Sequence, residues 1–496
     1  MRTNFSCYQL IVLLACSLIL SSCAILLPAG RPSDPVEALR YDIDQVLSDT
    51  IFVPARASLK VVSIDKEEVL YERDSKLLMR PASNMKLLTS STALRILGKD
   101  YRFKTSVLTD TVAADGILSG NLYLKGCANP DLSTADLDTL AAQVQAGGLR
   151  SIEGGIVADV SFFDDQYWGY GWNWDDEPYS YAAFLTPLTV NDNCVVVTVT
   201  PGLSAGDSVG VTVTPQTSYL TVANKAKTVA DSVVHPLVVT RLFRERLNTI
   251  EVDGELLINS RPVERDLSVW KPELYASTLF AEALQRRGIS VLKACSTGVA
   301  PENAHEIAAQ FWGLDSAVIN MNKISDNLTA ELLLKTLGTT DHARGSAEGG
   351  TYVVHRFLSS LGIDSTKYVM VDGSGLSFYD LLTTGMIAQL LERMTHQKDI
   401  FPLFFESLPI AGVDGTLRNR MKHTPAEGNL RAKTGTISGV SSLSGYVDTV
   451  DGERLAFSMT MQNFNYPTRL YQRAQDRIGA LLAGFSRTGR TAQPRP

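Results

Sequence analysis

The stretch Pro81-Ala82-Ser83-Asn84-Met85-Lys86-Leu87-Leu88-Thr89-Ser90-Ser91-Thr92-Ala93-Leu94 reads as a helix whose first turn carries a hydroxyl and an amine. The pattern runs from Ser83 to Leu97 and stops at Gly98, a residue that readily takes the left-handed conformation at a helix end. Ser83 and Lys86 are spaced i, i+3, so they share one face and the amine reaches the hydroxyl. A serine hydroxyl is a poor nucleophile until an adjacent base takes its proton. Lysine serves as that base when desolvation and nearby positive charge lower its pKa. At a helix start the macrodipole also favours developing negative charge. Alone, Ser-x-x-Lys is a weak signal, because solvated helix faces present the same pair.

Two further clusters lie downstream. Ser325-Asp326-Asn327 opens a helical pattern running to Leu337. Taken singly it is an N-cap, since these side chains accept bonds from free N–H groups at a helix start. Glu331 and Lys335 follow at i, i+4 and read as a solvated pair. Lys433-Thr434-Gly435-Thr436 falls in a strand pattern from Arg431 to Ser438. Glycine inside a strand marks close approach of another backbone or a ligand. Lysine and threonine beside it suit a carboxylate by charge and hydroxyl bonding, although an edge-strand lysine looks the same.

Between the first two clusters the texture changes. From about Tyr101 to Asn259 short apolar or alternating runs dominate, such as Asn121 to Lys125 and Cys194 to Thr200. A helical pattern, Trp270 to Arg287, closes this β-rich block. Helical patterns return after Ala308. Ser442 to Val450 and Glu453 to Gln462 flank Asp451-Gly452, a hairpin turn signal. The 496 residues exceed one compact core. A net charge of -7 and a pI near 5.5 advertise no basic face, so nucleic acid is excluded as a partner. Scattered histidines and the absence of HExxH or CxxC disfavour a metal or other cofactor.

In the order Ser-x-x-Lys, Ser-Asp-Asn, Lys-Thr-Gly, each on the expected helix or strand, the three clusters are the signature of penicillin-binding proteins and serine β-lactamases. The long stretch between Ser83 and Ser325 resembles the penicillin-binding protein 4 family of D-alanyl-D-alanine carboxypeptidases and endopeptidases, peptidase family S13. The segments Gly120 to Gly126, Asp372-Gly373-Ser374-Gly375-Leu376-Ser377 and Gly412 to Leu417 add to the likeness. The glycines of the last two read as turn devices rather than chemistry. The implied fold is α/β (α+β), a penicillin-binding/β-lactamase-like transpeptidase domain with an antiparallel sheet flanked by helices. Residues 35–100 and 290–486 would form it, 101–289 would be a β-rich insertion of two nested subdomains, and 487–496 a disordered tail.

The resemblance implies that Ser83 attacks the carbonyl between two D-alanines of peptidoglycan stem peptides, with Lys86 as base. Ser325 and Asn327 would complete the proton relay. Lys433 would orient the terminal carboxylate, with Thr434, Gly435 and Thr436 lining the strand. The N–H groups of Ser83 and Thr436 would form an oxyanion hole, and β-lactams would acylate Ser83. Asp176 and Tyr181, which follow Trp172-Asn173-Trp174-Asp175, resemble an insertion element that meets the charged end of the stem's diamino acid. Phe378, Ser438 and Ala128-Asn129-Pro130 depart from patterns seen in family members and put substrate contacts there in doubt. A wall-binding or β-lactam-sensing lipoprotein and a β-lactamase are the alternatives. The lactamase is disfavoured by the lack of Glu-x-x-Leu-Asn between Ser325 and Lys433.

The N-terminus reads as a signal peptide, residues 1–22. Arg2 supplies the positive region, and Tyr8 to Leu20 is apolar over a length too short for a comfortable span. Leu20-Ser21-Ser22-Cys23 resembles the bacterial lipobox, which implies lipid on Cys23, a linker to residue 34, and a lipid-anchored envelope protein, periplasmic in location. Cys127, Cys194 and Cys295 remain in the mature chain; three thiols form no complete disulfide framework.

Overall fold

The computed structural model describes residues 30–490, so the signal-peptide and Cys23 readings lie outside the described residues. One antiparallel five-stranded sheet is assembled from both ends of the chain. Its order is Arg431–Ile437, Val440–Asp448, Arg454–Gln462, Arg56–Ser63, Glu68–Arg73. The strands Val440–Asp448 and Arg454–Gln462 are buried at nearly every position, as expected of strands covered on both faces. On one face Leu39 and Ile43 of the helix Pro35–Leu47 and Tyr471, Ile478 and Leu482 of Thr468–Ala483 meet Phe457 and Met459. The helix Pro35–Leu47 is capped by the Asp34 side chain, which accepts from the Val36 and Glu37 N–H groups. On the other face the helix Thr384–Met394 crosses the sheet, and Tyr446 Oη donates to the Leu391 carbonyl at 2.8 Å.

Beyond that helix lies the core that carries the first cluster. Every residue from Lys86 to Leu94 of the helix Lys86–Ile96 is buried, so this helix is enclosed rather than amphipathic. Its hydroxyls are satisfied locally: Ser90 donates to the Lys86 carbonyl at 2.6 Å and Thr92 to Leu88 at 2.8 Å, which makes a buried Ser/Thr-rich helix tolerable. Helices Leu314–Ile324, Asn327–Gly338 and Ala347–Ser360 pack against it. The short helix Phe401–Ser407 was not anticipated.

The chain between the first two clusters builds a second sheet of order Ser296–Thr297, Ile156–Asp159, Leu122–Cys127, Arg102–Thr109, His305–Gly313. Helices Thr134–Ala146 and Pro272–Arg286 share its apolar core. The expected boundary at residue 289 therefore needs correction. Residues 290–313 pair with strands of this body, His305–Gly313 directly with Arg102–Thr109, so the body ends near Gly313. Between Cys194 and Ser268 smaller sheets stand apart. The tail also begins later than expected. Arg487 donates to Glu453 at 2.9 Å and to Glu68 at 2.7 Å, which orders the chain past residue 487; residues 491–496 lie outside the described residues.

Phe457 is fully buried between the sheet and the two terminal helices. Phe457→Ala is expected to destabilise the protein by about 3–5 kcal/mol through lost transfer energy and a residual cavity. A denaturant melt with a midpoint shift under 1 kcal/mol would contradict this packing.

Candidate active site

Ser83 sits in a single 3-10 turn, Ala82–Met85, that feeds the helix Lys86–Ile96. The α-helix thus begins at Lys86, three residues later than the pattern suggested. Ala82 is fully buried and has φ 47°, an uncommon conformation for a residue with a side chain and one found at functional turns. The turn keeps Ser83 beside Lys86, with Lys86 Nζ donating to Ser83 Oγ at 3.0 Å. The ammonium also donates to Asn327 Oδ1 at 2.6 Å and to the Ser374 carbonyl at 2.9 Å. All three of its donors are used, and no carboxylate touches it directly. Burial lowers the Lys86 pKa to about 8, against the opposing pull of Asp326, Asp372 and Glu331.

The second cluster caps a helix and also reaches this point. Asp326 caps the helix Asn327–Gly338, accepting from Leu328 and Thr329 at 3.3 and 2.6 Å. Ser325 precedes it in the left-handed region at φ 67°, which turns its side chain to the opposite wall. There Lys433 Nζ donates to Ser325 Oγ at 2.8 Å and to the Thr434 carbonyl at 3.0 Å. Lys433 is fully buried; burial, then the Lys86 charge, holds its pKa well below the ordinary lysine range.

Lys433 lies on Arg431–Ile437, an edge strand of the first sheet, whose outward N–H and C=O groups are unpaired within the sheet. Thr434 Oγ1 donates to Thr416 Oγ1 at 2.7 Å, and Thr436 is exposed. Gly435 has no room for a side chain. A Cβ there would lie 2.9 Å from both the Pro81 carbonyl oxygen and the Ser83 nitrogen, and 2.2 Å from Ser442 Oγ. The strand glycine thus marks the close approach expected of it, and the neighbour is the backbone of Ser83.

Asp176 and Tyr181 stand at the rim. Tyr181 Oη donates to Asp176 Oδ1 at 2.7 Å, and Asn173 Nδ2 to Asp176 Oδ2 at 3.1 Å. The Tyr181 carbonyl accepts from Asn327 Nδ2 at 2.8 Å, so the chain inserted after Ser83 touches the residue that holds Lys86. Phe378 carries Arg80 over its ring at 4.9 Å, and its carbonyl accepts from Arg80 Nε at 3.2 Å.

One expectation fails here. Glu331 and Lys335 are not a solvated pair: both are 1% exposed. Glu331 accepts from the Gly373 and Ser374 N–H groups at 3.0 and 2.8 Å. Lys335 donates to Asp164 and to the Gln166 carbonyl at 2.5 and 2.6 Å. The segment Asp372–Ser377 holds a turn glycine as expected, Gly375 at φ 81°, and it also brings the Ser374 carbonyl to Lys86. Its recurrence as a likeness segment was the available signal. Cys127, Cys194 and Cys295 are all free thiols.

Residues 39–483 match the D-Ala-D-Ala carboxypeptidase 3 (S13) family. The chain is 36% identical over 463 residues to a D-alanyl-D-alanine carboxypeptidase of Actinomadura sp. strain R39, covering 90% of this chain and 85% of that protein. It is 27% identical to the D-alanyl-D-alanine carboxypeptidase DacB of Haemophilus influenzae, over 81% of this chain and 84% of that one. The crystal structure of penicillin binding protein 4 (dacB) from Haemophilus influenzae superposes with a TM-score of 0.79 at 25% identity, covering 89% of this chain and 99% of that one. A β-lactam complex of the same protein superposes at 0.73 with 24% identity, over 88% and 97%.

Gly435→Ala is expected to force apart the edge strand and the Ser83 turn, because two of the atoms it meets are backbone. Since misplacement by about 1 Å costs roughly 100-fold in rate, acylation of the purified protein by a β-lactam should slow by about that factor. An alanine variant that reacts at the parent rate would refute this close approach.

Proposed function

The chain belongs to the D-Ala-D-Ala carboxypeptidase S13 family, and from that premise we propose a cycle in which Ser83, with Lys86 as its base, cleaves the terminal D-alanyl-D-alanine bond of peptidoglycan stem peptides. The protein is a serine-type D-Ala-D-Ala carboxypeptidase. The observation that carries the assignment of residues is the 3.0 Å contact of Lys86 Nζ with Ser83 Oγ, inside a site where burial brings the amine's pKa to about 8.

Neutral Lys86 takes the Ser83 proton as Oγ bonds to the carbonyl carbon. The oxyanion forms against the N–H groups of Ser83 and Thr436, a device in which one donor is worth about 3 kcal/mol. The proton then passes to the leaving D-alanine nitrogen, with Ser325 and Lys433, 2.8 Å apart, completing the relay. Lys433, Thr434 and Thr436 hold the terminal carboxylate by charge and hydroxyl bonding. Water, deprotonated by Lys86, hydrolyses the acyl-enzyme. A β-lactam enters by the same attack, but its ring nitrogen stays tethered and blocks the water step. Asp176 and Tyr181, joined by a hydrogen bond of 2.7 Å, would receive the side chain of the stem peptide's diamino acid.

The lipobox-like Leu20-Ser21-Ser22-Cys23 supports a signal peptide, lipid on Cys23 and a membrane-anchored periplasmic location. The expectation is that Cys23→Ala moves the protein from the membrane to the soluble fraction of a producing bacterium. Unchanged sedimentation with membranes would end the anchor proposal.

A fluorescent penicillin is expected to label the protein covalently, with Ser83→Ala abolishing the label and Lys86→Ala slowing acylation on the order of 10³-fold. The base acts in its neutral form, so the acylation rate should rise about tenfold per pH unit below 8 and level off above it. Labelling that survives Ser83→Ala, or a rate flat from pH 6 to 9, would remove Ser83 or Lys86 from these roles.

A further inference from the structure

Of the three acceptors around Lys86, one is a backbone carbonyl held by groups that the acyl-transfer cycle does not use. The Ser374 carbonyl belongs to a tight turn, Asp372 to Ser377, wedged between the helices Lys86–Ile96 and Asn327–Gly338. Its N–H groups converge on two carboxylates. Glu331 takes those of Gly373, at 3.0 Å from each of its oxygens, and of Ser374 at 2.8 Å. Asp372 takes those of Gly375 and Ser377, each at 2.7 Å. A hydroxyl fixes the turn from the other side, Thr89 Oγ1 donating to the Gly373 carbonyl at 2.7 Å. Gly375, at φ 81°, presses against Ala82: a Cβ there would lie 1.9 Å from the Ala82 carbonyl oxygen. The turn therefore touches both the residue before Ser83 and the ammonium of Lys86.

Glu331 stands one helical turn beyond Asn327, so the two face the same side. Asn327 holds Lys86 directly, and Glu331 holds it through the turn. A carboxylate accepting two adjacent backbone N–H groups, one of them shared between its oxygens, in a dry interior is a rigid clamp, because charge-assisted bonds are about twice as strong as neutral ones. Nothing about Glu331 is needed for helix formation, and an apolar side chain would bury at lower cost.

We propose that Glu331 is a positioning residue of the acylation step: by gripping the Gly373 and Ser374 N–H groups it holds the Ser374 carbonyl on Lys86 and fixes the base against Ser83. The inference rests on the reading of Lys86 as base. Above about pH 8 Glu331 also adds negative charge beside the amine. The charged groups facing Lys86 are Asp326, Asp372 and Glu331, which favour its protonated form, and Lys433, on which the Lys86 charge bears. Asp380 faces Asp372 and Glu331, and Lys335 faces Glu331. Burial and Asp372 raise the Glu331 carboxyl to about 8, against its bonds from Ser374 and Gly373.

Acylation of the full chain by a fluorescent penicillin is followed on the plateau above pH 8, where Glu331 is ionised and Lys86 neutral. Glu331→Gln keeps the shape but replaces an acceptor with an amide that repels the N–H groups. It is expected to lower the plateau by roughly tenfold or more. Thr89→Val loosens the same turn without touching the carboxyl, and should also lower the plateau. Glu331→Asp, which keeps the acid, should restore part of the plateau. A Glu331→Gln protein with the parent plateau overturns the proposal. So does one whose rate falls only in proportion to its folded fraction, read from its thermal melt. If Glu331→Gln does not fold, Thr89→Val decides alone, and a parent-like rate there overturns it. Failure of the parent protein to label, or labelling that survives Ser83→Ala, would instead strike the underlying reading of Ser83 and Lys86.

Discussion

An ammonium group removed from water must find partners for three protons, and the choice of partners decides whether it keeps its charge. Lys86 is met by a hydroxyl, an amide oxygen and a peptide carbonyl. None carries formal charge, so these bonds offset only part of the desolvation cost. The nearest acids act at one remove, through the cap of one helix and the clamp on one turn. Had a carboxylate sat directly on Nζ, the amine would stay protonated and inert as a base. Had there been no acids nearby, the site would hold two buried lysines with little to balance them. The observed arrangement lies between these limits, with a pKa of about 8.

Much of the fold serves to bring those acceptors together. Asn327 arrives on a helix whose start is fixed by the Asp326 cap, and Ser325 is turned to the opposite wall by its left-handed backbone. The Ser374 carbonyl arrives on a turn gripped by two acids. Lys433 arrives on an edge strand that can approach Ser83 only because position 435 has no side chain. Each device is local and cheap, yet each acts on a part of the chain distant in sequence. The enclosed helix Lys86–Ile96 gives them a common reference. Its own polar groups are satisfied within the helix or by the Asp372–Ser377 turn, so it does not rely on water that the site must exclude.

What was legible in the sequence follows from this. Ser83 with Lys86 is a short-range relation, and spacing on one face is enough to see it. The glycine of Lys-Thr-Gly could be read as a close approach, though not what approached. The Ser-Asp-Asn cluster could be read as a cap or as part of a site, and the structure puts the cap on Asp326 while Ser325 contacts Lys433 and Asn327 contacts Lys86. Glu331 and Lys335 were misread because the i, i+4 rule sees only the helix surface; their partners, the Gly373 and Ser374 N–H groups and Asp164, come from segments the helix pattern does not mention. The boundary at residue 289 failed for a similar reason. A strand carries no mark of which strand it will pair with, and His305–Gly313 pairs backwards across nearly two hundred residues with Arg102–Thr109.

The chain inserted after the first helix is more than a decoration on the catalytic body. Trp172 Nε1 donates to Asp372 at 3.0 Å, and that carboxylate holds the peptide whose carbonyl meets Lys86. The Tyr181 carbonyl takes one amide proton of Asn327, whose oxygen meets Lys86. Two of the three acceptors around the amine are therefore oriented in part by inserted residues. Asp372 and Asn327 are each too crowded with partners to rotate freely, so removing the inserted chain would leave a buried carboxylate and an amide short of bonds. The two bodies must then fold as a joint site. The chain between Ser83 and Ser325 is thus part of the means by which the Lys86 amine is held in place.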